Sequence, residues 1–383
     1  MDIVGGFYRE ISLVPEIDQM FGSGGRAAAI LSEITNDVTL HTYTDNDSDI
    51  AEFEKKYVIK VKKYRRDGPI SFSYFHPLST PHISKGENLQ SSIKVSGEVV
   101  LRFGLIEGDA VVDANRVVFD PQTWKKKAIY SINGSKANHL VIALNELELA
   151  YSTSANSIIA QAQELLDLNK AEAIVVKRGV KGCFVLEKNG SKYSIPSYLS
   201  NKVTKVGTGD VFSAIFAFYW GVKKKRPSHA AELASKHVAC FCESGGIDLD
   251  YQKIDKLIPI NFESFQPVTI FADQTGLGKR YILEEAKYLL LQFGIVAQVE
   301  DNLENLANNK NPILILGETF RNLIAIENQL RKNKSKIVVY DVSCGDWFTR
   351  NSTPENITFA QDFTSAIYQV AWASAQQTNI KGV

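Results

Sequence analysis

The chain has 383 residues, which is more than one hydrophobic core usually serves, since single cores stop growing at about 250 to 300 residues. Its 43 basic and 43 acidic residues give a formal net charge of zero, which excludes a general electrostatic attraction to nucleic acid or to an anionic membrane. We therefore expect two domains and chemistry on a small molecule, with no nucleic-acid partner and no membrane partner.

The amino terminus and the cysteines predict a cytoplasmic protein. Residues 1–6 have neither the cationic nor the apolar part of a secretory signal peptide, and the longest strongly apolar run, 211–222, is too short to cross a bilayer. The four cysteines are Cys183, Cys240, Cys242 and Cys344. They lack CxxC spacing and are too few to staple a chain of this length, so we expect buried free thiols in a reducing compartment.

The first 260 residues predict a parallel sheet. Residues 1–7 predict a short buried strand and residues 27–34 a helix. Between about 38 and 105, apolar residues recur at every second position, as in Tyr57–Lys62, which predicts a group of antiparallel strands. Further strands are predicted at 110–112, 116–119, 140–143, 173–177 and 183–186, with a helix over 154–168. Strands separated by helices favour a parallel sheet that is covered on both faces.

A second alternation follows a proline-bounded segment. Pro259–Pro267 has little periodicity and indicates a linker. The predicted strands beyond it are 268–272, 295–299, 312–317 and 336–342, and the predicted helices are 279–293, 319–331 and 362–375. We therefore predict one domain over 1–260 and a small Rossmann-like α/β domain over 268–383.

The strongest chemical signal is the sequence Val-Gly-Thr-Gly-Asp at 206–210, directly before an apolar helix. Glycines at a helix start let successive N–H groups converge, and the helix dipole adds partial positive charge there. Gly207, Thr208 and Gly209 can therefore hold the negative charge of a phosphate. Asp210 falls at the helix start, where an ordinary N-cap is the alternative interpretation for the motif alone.

A second motif lies 62 residues earlier in the chain, where Asn145 and Glu148 follow a predicted strand. An amide and a carboxylate three residues apart on the first turn of a helix share one face and can organise a hydrated Mg²⁺ ion. A helix start that is merely rich in acids is the alternative interpretation. In order and context, however, the two motifs match a known pattern.

That pattern resembles the PfkB carbohydrate kinase family, also called the ribokinase-like superfamily, over about residues 1–260. Gly5–Glu10 is similar to the family's first strand with its acidic substrate contact, and Gly24-Gly25 to its substrate-side glycine pair. Asp120-Pro121 and the Gly-Val-Lys-Gly sequence at 179–182 also fall where the family has similar elements. The resemblance implies a doubly wound α/β sheet with an antiparallel β lid within about residues 38–105.

The resemblance also implies a function, the ATP-dependent phosphorylation of a hydroxyl group on a sugar or nucleoside, with ATP and Mg²⁺ as cofactors. Asp210 would be the base that accepts the hydroxyl proton, and Gly207, Thr208 and Gly209 would form the anion hole. The other implied site residues are Asn145 and Glu148 for Mg²⁺, Lys177, Gly179 and Gly182 for the nucleotide, and Glu10, Gly24 and Gly25 for the substrate. A second copy of the chain, meeting the first through the lid, is the expected protein partner.

Several positions depart from the family pattern. Relatives commonly carry Asp-Thr ahead of the glycine loop, where this chain has Thr204 and Lys205, so we expect activity to depend little on K⁺. Ala29 stands where many relatives have a sugar-binding Asn, and Glu10 stands where the usual residue is Asp. The substrate pocket is therefore expected to have diverged. These departures motivate the alternative function, a non-catalytic ligand-binding or regulatory protein on a kinase fold.

The second domain resembles the nucleoside 2-deoxyribosyltransferase-like group of small Rossmann-type domains. The segments that carry this resemblance are 269–273, 313–317, 324–327 and 336–341. In that group a helix-borne Glu attacks the anomeric carbon, which makes Glu327 the candidate nucleophile. Leu323, Ile324 and Ile326 stand where small residues are usual, and an inactive regulatory or dimerisation domain is the alternative. A chain truncated near Phe265 should remain a soluble kinase.

Overall fold

The computed structural model of the protein describes residues 1–123, 127–317, 323–341 and 353–376. The chain divides into two compact units, the first formed by Met1–Tyr198 and Val206–Leu257, the second by Leu199–Lys205 and Ile258–Val383. The short segment Leu199–Lys205 thus groups with the carboxy-terminal part of the chain. The single domain boundary near residue 260 that the sequence predicts does not describe this division.

A nine-stranded sheet forms the centre of the first unit. Its strands are β1 (Asp2–Val4), β4 (Thr39–Thr44), β5 (Lys60–Arg65), β8 (Ile93–Phe103), β9 (Ala110–Asp120), β10 (Lys136–Asn145), β11 (Ala173–Lys177), β12 (Cys183–Glu187) and β13 (Lys192–Ile195). Their spatial order is β13, β12, β11, β10, β9, β8, β1, β4, β5. The strands from β11 to β5 are parallel, while β12 and β13 form an antiparallel edge. The predicted parallel sheet is confirmed, with the segments 110–112 and 116–119 joined in the single strand β9.

Helices cover both faces of this sheet, because its buried strands present apolar side chains in both directions. The helices are α1 (Gly22–Ser32), α2 (Asp47–Tyr57), α3 (Glu146–Ser152), α4 (Ile158–Asn169), α5 (Thr208–Ala217) and α6 (Pro227–Ser244). Val141 and Ala143 of β10 pack in one core with α1, α2, α5 and α6, whereas Ile142 and Leu144 pack in the other core with α3 and α4. The predicted doubly wound architecture is therefore confirmed.

The lid is a separate four-stranded sheet. Its strands are β2 (Arg9–Ser12), β3 (Ile17–Met20), β6 (Ser71–Tyr74) and β7 (His82–Ser84), in the order β3, β2, β6, β7. The prediction of one antiparallel group over 38–105 is wrong in its extent, because β4, β5 and β8 belong to the parallel sheet and half of the lid comes from residues 9–20. It is also wrong in strand direction at the centre of the lid, where β2 and β6 are parallel. β5 is an edge strand with an exposed side, so polar and apolar residues alternate in it as they do in an antiparallel sheet.

The lid carries exposed apolar side chains. Leu13 is 85% exposed and Phe75 is 73% exposed. Leu13 and Phe75 directly follow the paired strands β2 and β6, and large exposed apolar side chains close together are typical of a surface that contacts another protein. The homodimer through the lid stays a prediction, and these side chains are the ones it would cover.

The second unit contains a parallel sheet of five strands. They are β17 (Val268–Phe271), β18 (Ala297–Glu300), β19 (Ile313–Leu316), β20 (Ile337–Tyr340) and β21 (Ile357–Ala360), in the order β18, β17, β19, β20, β21. Its helices are α7 (Leu277–Gln292), α8 (Leu303–Leu306), α9 (Leu323–Leu330) and α10 (Phe363–Ser374). The remaining strands are short: β14 (Ser197–Tyr198) at the end of a first-unit segment, and β15 (Pro259–Ile260), β16 (Ser264–Phe265) and β22 (Ala375–Gln376) in the second unit. The predicted Rossmann-like alternation is confirmed, and β21 is a strand that the sequence analysis missed. Residues 319–322 of the predicted helix and residue 342 of a predicted strand lie outside the described residues.

Within the described ranges, no helix is long and apolar enough to cross a membrane. Cys183, Cys240 and Cys242 are buried and free, as expected, and Cys344 lies outside the described residues. The cytoplasmic location itself stays a prediction.

Candidate active site

The glycine loop forms the start of α5, as the sequence predicts. Gly207 directly precedes the helix with a φ of +83°, a backbone conformation that glycine adopts without strain. A Cβ atom at this position would also lie 2.1 Å from Nε of Arg26, so no larger residue fits. The N–H groups of the first helical turn have no partner within the helix and face the space ahead of it. Thr208 and Asp210 both lie in this turn and are buried.

Both carboxylate oxygens of Asp210 accept hydrogen bonds from side chains. Arg26 donates Nη1–H to Oδ2 at 3.1 Å, and Gln122 donates Nε2–H to Oδ1 at 2.8 Å. Burial raises the pKa of Asp210 to about 6; the guanidinium of Arg26 opposes this rise, while the charges of Glu10 and Asp120 add to it. Asp210 is therefore a stronger base than an ordinary aspartate.

Arg26 joins the lid to the glycine loop. Its side chain is 1% exposed, and its two terminal nitrogens bind the two carboxylate oxygens of Glu10, which lies on lid strand β2. Burial lowers the pKa of Arg26, but Glu10 and Asp210 raise it by more, so the guanidinium stays charged. The predicted substrate contact Glu10 therefore lies at the site, where it is held in a bidentate ion pair.

Lys177 places a buried positive charge beside the glycine loop. Its Nζ lies 2.6 Å from Oδ2 of Asp120 and 3.3 Å from Oγ of Ser213, which itself donates to Oδ2 of Asp120 at 2.6 Å. A Cβ atom at Gly209 would lie 3.6 Å from this Nζ, which shows how near the ammonium group is to the loop. Burial lowers the pKa of Lys177, while Asp120 and Glu148 raise it by more, so it remains a cation.

Asn145 and Glu148 face each other at the start of α3. Oδ1 of Asn145 accepts a hydrogen bond from the N–H of Glu148 at 2.9 Å, and Oε2 of Glu148 accepts one from the N–H of Asn145 at 2.8 Å. This reciprocal capping box is the helix-start arrangement that the sequence analysis kept as the alternative. Burial and the nearby charge of Asp120 raise the pKa of Glu148 to about 7, while Lys177 lowers it.

The oxygen atoms around Glu148 fit a hydrated Mg²⁺ ion. Oδ1 of Asp120 is buried without a hydrogen-bond partner. The charge of Asp120 is close enough to Glu148 to raise the pKa of Glu148. Within the described residues there is no group of three or more His, Cys, Asp or Glu side chains that could hold a metal ion. Mg²⁺ usually needs only one or two carboxylates, with waters and phosphate oxygens as the other ligands.

The glycine pair of α1 serves close packing. A Cβ atom at Gly24 would lie 2.6 Å from the carbonyl carbon of Gly5, and one at Gly25 would lie 2.8 Å from the ring of Phe7. Both N–H groups donate to the carbonyl oxygen of Gly6, at 2.9 and 3.3 Å. Close packing of α1 against the end of β1 therefore explains why both positions are glycine. The substrate role predicted for Gly24 and Gly25 is not tested by these contacts.

Gly179 and Gly182 enclose a turn after β11. Gly179 has a φ of +56° and Gly182 a φ of +78°. At Gly182 a Cβ atom would lie 2.0 Å from the carbonyl oxygen of Ile195, so the neighbouring chain leaves room only for glycine. The nucleotide role predicted for these glycines stays a prediction.

A second buried cluster lies where the lid meets the parallel sheet. Tyr8 donates its hydroxyl proton to Oε2 of Glu107, and its ring stacks on Phe72 of lid strand β6 with the centroids 5.4 Å apart. The guanidinium of Arg66 lies 5.7 Å from the centre of the Tyr8 ring. Tyr74, on the same face of β6 as Phe72, is close enough to Glu10 and Asp210 that burial and these charges raise its pKa. The sequence analysis identified none of Arg26, Gln122, Arg66 and Glu107 as site residues.

Part of the first unit matches a known protein family. Residues 107–254 match the family described as pfkB family carbohydrate kinase. Residues 107–254 therefore form a PfkB family carbohydrate kinase domain. The matched range includes Asp120, Lys177 and the glycine loop with Asp210, whereas Glu10 and Arg26 precede it.

Individual relatives are distant. A 5-dehydro-2-deoxygluconokinase of Listeria innocua is 26% identical over 128 residues, which cover 32% of this chain and 39% of that protein. The match thus spans about two fifths of the curated relative. A point mutant of phosphofructokinase-2 from Escherichia coli has a TM-score of 0.50 at 10% identity, covering 67% of this chain and 97% of its own, and this likeness confirms the ribokinase-like fold. Arabidopsis thaliana ribokinase in complex with ribose and ATP has a TM-score of 0.46 at 15% identity, covering 67% of this chain and 97% of its own.

The comparisons give no support to a deoxyribosyltransferase-like second unit. In the structure, Oε1 of Glu327 accepts hydrogen bonds from Nη2 and Nε of Arg331, at 2.7 and 2.9 Å, one helical turn further along. Glu327 lies in α9 and Arg331 directly follows it, so the two residues form a local ion pair. The geometry therefore adds nothing in favour of Glu327 as a nucleophile.

Proposed function

We propose that the protein transfers a phosphoryl group from ATP to a hydroxyl group of a carbohydrate. The observation that carries this proposal is the buried carboxylate of Asp210 in the first turn of α5, directly after Gly207 and beside the cation Lys177. Phosphoryl transfer depends on an oriented nucleophile and on neutralisation of phosphate charge. A base, a helix N-terminus and a buried ammonium group at one place meet both needs.

Asp210 accepts the proton of the acceptor hydroxyl. With a pKa of about 6 it is mostly ionised at pH 7 and is more basic than an exposed aspartate. In the structure Gln122 donates an N–H to Oδ1, and this oxygen keeps a second lone pair that can accept the proton of the acceptor hydroxyl. Arg26 stays on Oδ2 and holds the carboxylate in its orientation.

Negative charge on the phosphoryl group is held by the loop and by Lys177. The N–H groups at Gly207, Thr208 and Gly209 lie at the positive end of α5. Asp120 and Ser213 fix the Lys177 ammonium group next to this loop. The contacts of Lys177 with Asp120 and Ser213 support this role, because preorganised donors are the main source of rate enhancement in such sites.

ATP supplies the phosphoryl group when it is bound, and Mg²⁺ neutralises phosphate charge. Glu148 and Asp120 are the residues that would hold Mg²⁺ and its waters, and Asn145 would hold Glu148 in place through the capping box. Lys177 is the best placed of the proposed nucleotide residues because it lies beside the loop, and Gly179 and Gly182 shape the turn that follows it.

A carbohydrate acceptor is favoured over a nucleoside. The matching family is described as carbohydrate kinase, and the curated relative that matches is a 5-dehydro-2-deoxygluconokinase. For a carbohydrate, Glu10 and Tyr74 are the proposed contacts near Asp210, since each carboxylate oxygen of Glu10 keeps a second lone pair for a sugar hydroxyl.

A non-catalytic protein on the kinase fold is the second candidate. It is favoured by the fact that both oxygens of Asp210 are engaged by protein side chains, as they would be in a carboxylate of purely structural use. The two candidates differ in whether a bound carbohydrate is chemically changed.

The experiment that separates them uses the intact chain with ATP and a panel of sugars, polyols and nucleosides, with and without Mg²⁺. Mass spectrometry follows the phosphorylated product, and thermal unfolding follows binding. A phosphorylated carbohydrate formed only with Mg²⁺ supports the kinase. Stabilisation by a carbohydrate without any product under the same conditions supports the non-catalytic candidate.

A further inference from the structure

The stretch of chain that leads into the glycine loop belongs to the second unit. Leu199–Lys205 groups with the carboxy-terminal part of the chain, whereas Val206 and the loop after it group with the first unit. The catalytic loop therefore continues directly from a segment that the second unit holds. The side chains that bind this segment belong to α10.

Two side chains of α10 bind the backbone of this segment. Oγ of Ser365 accepts a hydrogen bond from the N–H of Val203 at 2.9 Å, and Nε2 of Gln369 donates one to the carbonyl oxygen of Asn201. Ser365 and Gln369 are four residues apart, so they lie on the same face of α10. Ser365 and Val203 are 2% and 4% exposed, which places their bond out of water; Gln369 is 7% exposed, while its partner Asn201 is exposed.

Ser365 is oriented for this bond by the cap of its own helix. Asp362 is the N-cap residue of α10, and its carboxylate accepts the N–H of Ser365 at 2.8 Å and the Oγ–H at 2.6 Å. Because the hydroxyl donates its proton to Asp362, its lone pairs are free to accept from Val203. The helix is itself anchored by a buried apolar side, which includes Ile367 and Val370.

We propose that Ser365 and Gln369 are positioning residues for phosphoryl transfer, because they fix the chain four and six residues before Gly207. This inference rests on the proposed kinase function. Anion-hole donors must be held to within about 0.5 Å of their working positions. A loop that is anchored at its entry by α10 and at its exit by the buried helix α5 loses little further freedom when the phosphate binds. The second unit is then a working part of the kinase.

The test compares Ser365→Ala with Ser374→Ala in the full-length chain. Ser374 is a buried serine of the same helix, but its Oγ donates only within the helix, to the carbonyl oxygen of Ala371. Hydrogen exchange is measured on peptides that cover 203–210. We expect Ser365→Ala to speed exchange there by about fivefold, the equivalent of one lost hydrogen bond, with no change in Ser374→Ala.

Kinetics give a second measure in the same variants. Ser365→Ala should lower kcat by about fivefold and leave KM for the acceptor unchanged, because the acceptor contacts lie elsewhere, and Ser365→Thr, which keeps the hydroxyl, should restore kcat. Gln369→Ala, which leaves the cap of α10 intact, should act in the same direction.

Two outcomes would overturn the proposal. One is equal exchange over 203–210 in Ser365→Ala, Gln369→Ala and Ser374→Ala; the other is faster exchange that leaves kcat unchanged. If the wild-type chain phosphorylates no carbohydrate, the kinase function fails, and the exchange experiment still decides whether α10 orders the loop.

Discussion

Two carboxylates, Asp210 in the first unit and Glu327 in the second, were both candidate catalytic residues by resemblance, and their surroundings differ. Asp210 is buried among charged and polar groups that come from distant parts of the chain, namely Glu10, Arg26 and Gln122. Glu327 pairs with Arg331, four residues away. A helix makes such a pair by itself, whereas only a fold built around a site assembles the first arrangement.

The largest effect that this comparison predicts is on stability. Replacing Arg26 by Met leaves the carboxylates of Glu10 and Asp210 buried without their cation, which should cost about 3 to 5 kcal/mol. The matched change Arg331→Met removes the half-exposed pair with Glu327 and should cost at most about 1 kcal/mol.

Hydrogen exchange in α1 and α9 measures the stability of each unit separately. If Arg26→Met destabilised α1 no more than Arg331→Met destabilises α9, the buried cluster would not be an interdependent site.

Truncation near Phe265 should have the next largest effect. The sequence analysis expects this truncation to leave a soluble kinase, but the structure groups Leu199–Lys205 with the part of the chain that is removed. Without α10, the segment before Gly207 loses the hydrogen bonds from Ser365 and Gln369, so kcat should fall by at least about tenfold even where the shortened chain stays soluble. Turnover of the purified fragment is the measurement. A fragment with the kcat of the intact chain would show that the two units work independently.

Acid should inactivate the kinase through Asp210. Because burial raises the pKa of this carboxylate from 3.8 to about 6, the base becomes protonated as the pH falls through 6. We expect kcat/KM to fall about tenfold for each pH unit below 6. If kcat/KM instead begins to fall only near pH 4, Asp210 is not the base, or its surroundings are not those of the structure.

The smallest expected effect is that of monovalent cations. Thr204 and Lys205 replace the Asp-Thr pair that relatives commonly carry ahead of the loop, and this segment is held by α10 instead. Exchanging K⁺ for a bulky organic cation at constant ionic strength should change kcat by less than about twofold. Strong activation by K⁺ would reveal a cation site built from other residues.

Much of this site was predictable because its residues are tied to local patterns. Lys177 ends strand β11, and Glu148 and Asp210 lie in the first turns of α3 and α5. Parallel strands bring such positions to one edge of the sheet. Arg26 had a signal that went unused, since it is the only charged residue in the Gly- and Ala-rich helix α1. A lone charge in such a helix indicates a buried ion pair.

Other features had no local signal. Gln122 reaches Asp210 from a loop where its φ is +47°, a conformation that its side chain does not encode. The position of Leu199–Lys205 in the second unit depends on contacts with residues more than 150 positions later. The lid was misplaced because alternation along β5 is a property of an edge strand as much as of an antiparallel one.

The most direct test of the account measures turnover and stability together in Asp210→Asn, with Asp113→Asn as the control because Asp113 is exposed on β9. If Asp210 is the base, Asp210→Asn lowers kcat by at least about 10²-fold. Its raised pKa means that its charge is disfavoured in the folded state at neutral pH, by up to about 3 kcal/mol, so the same change should raise the unfolding temperature. A variant with near wild-type turnover would contradict the central claim.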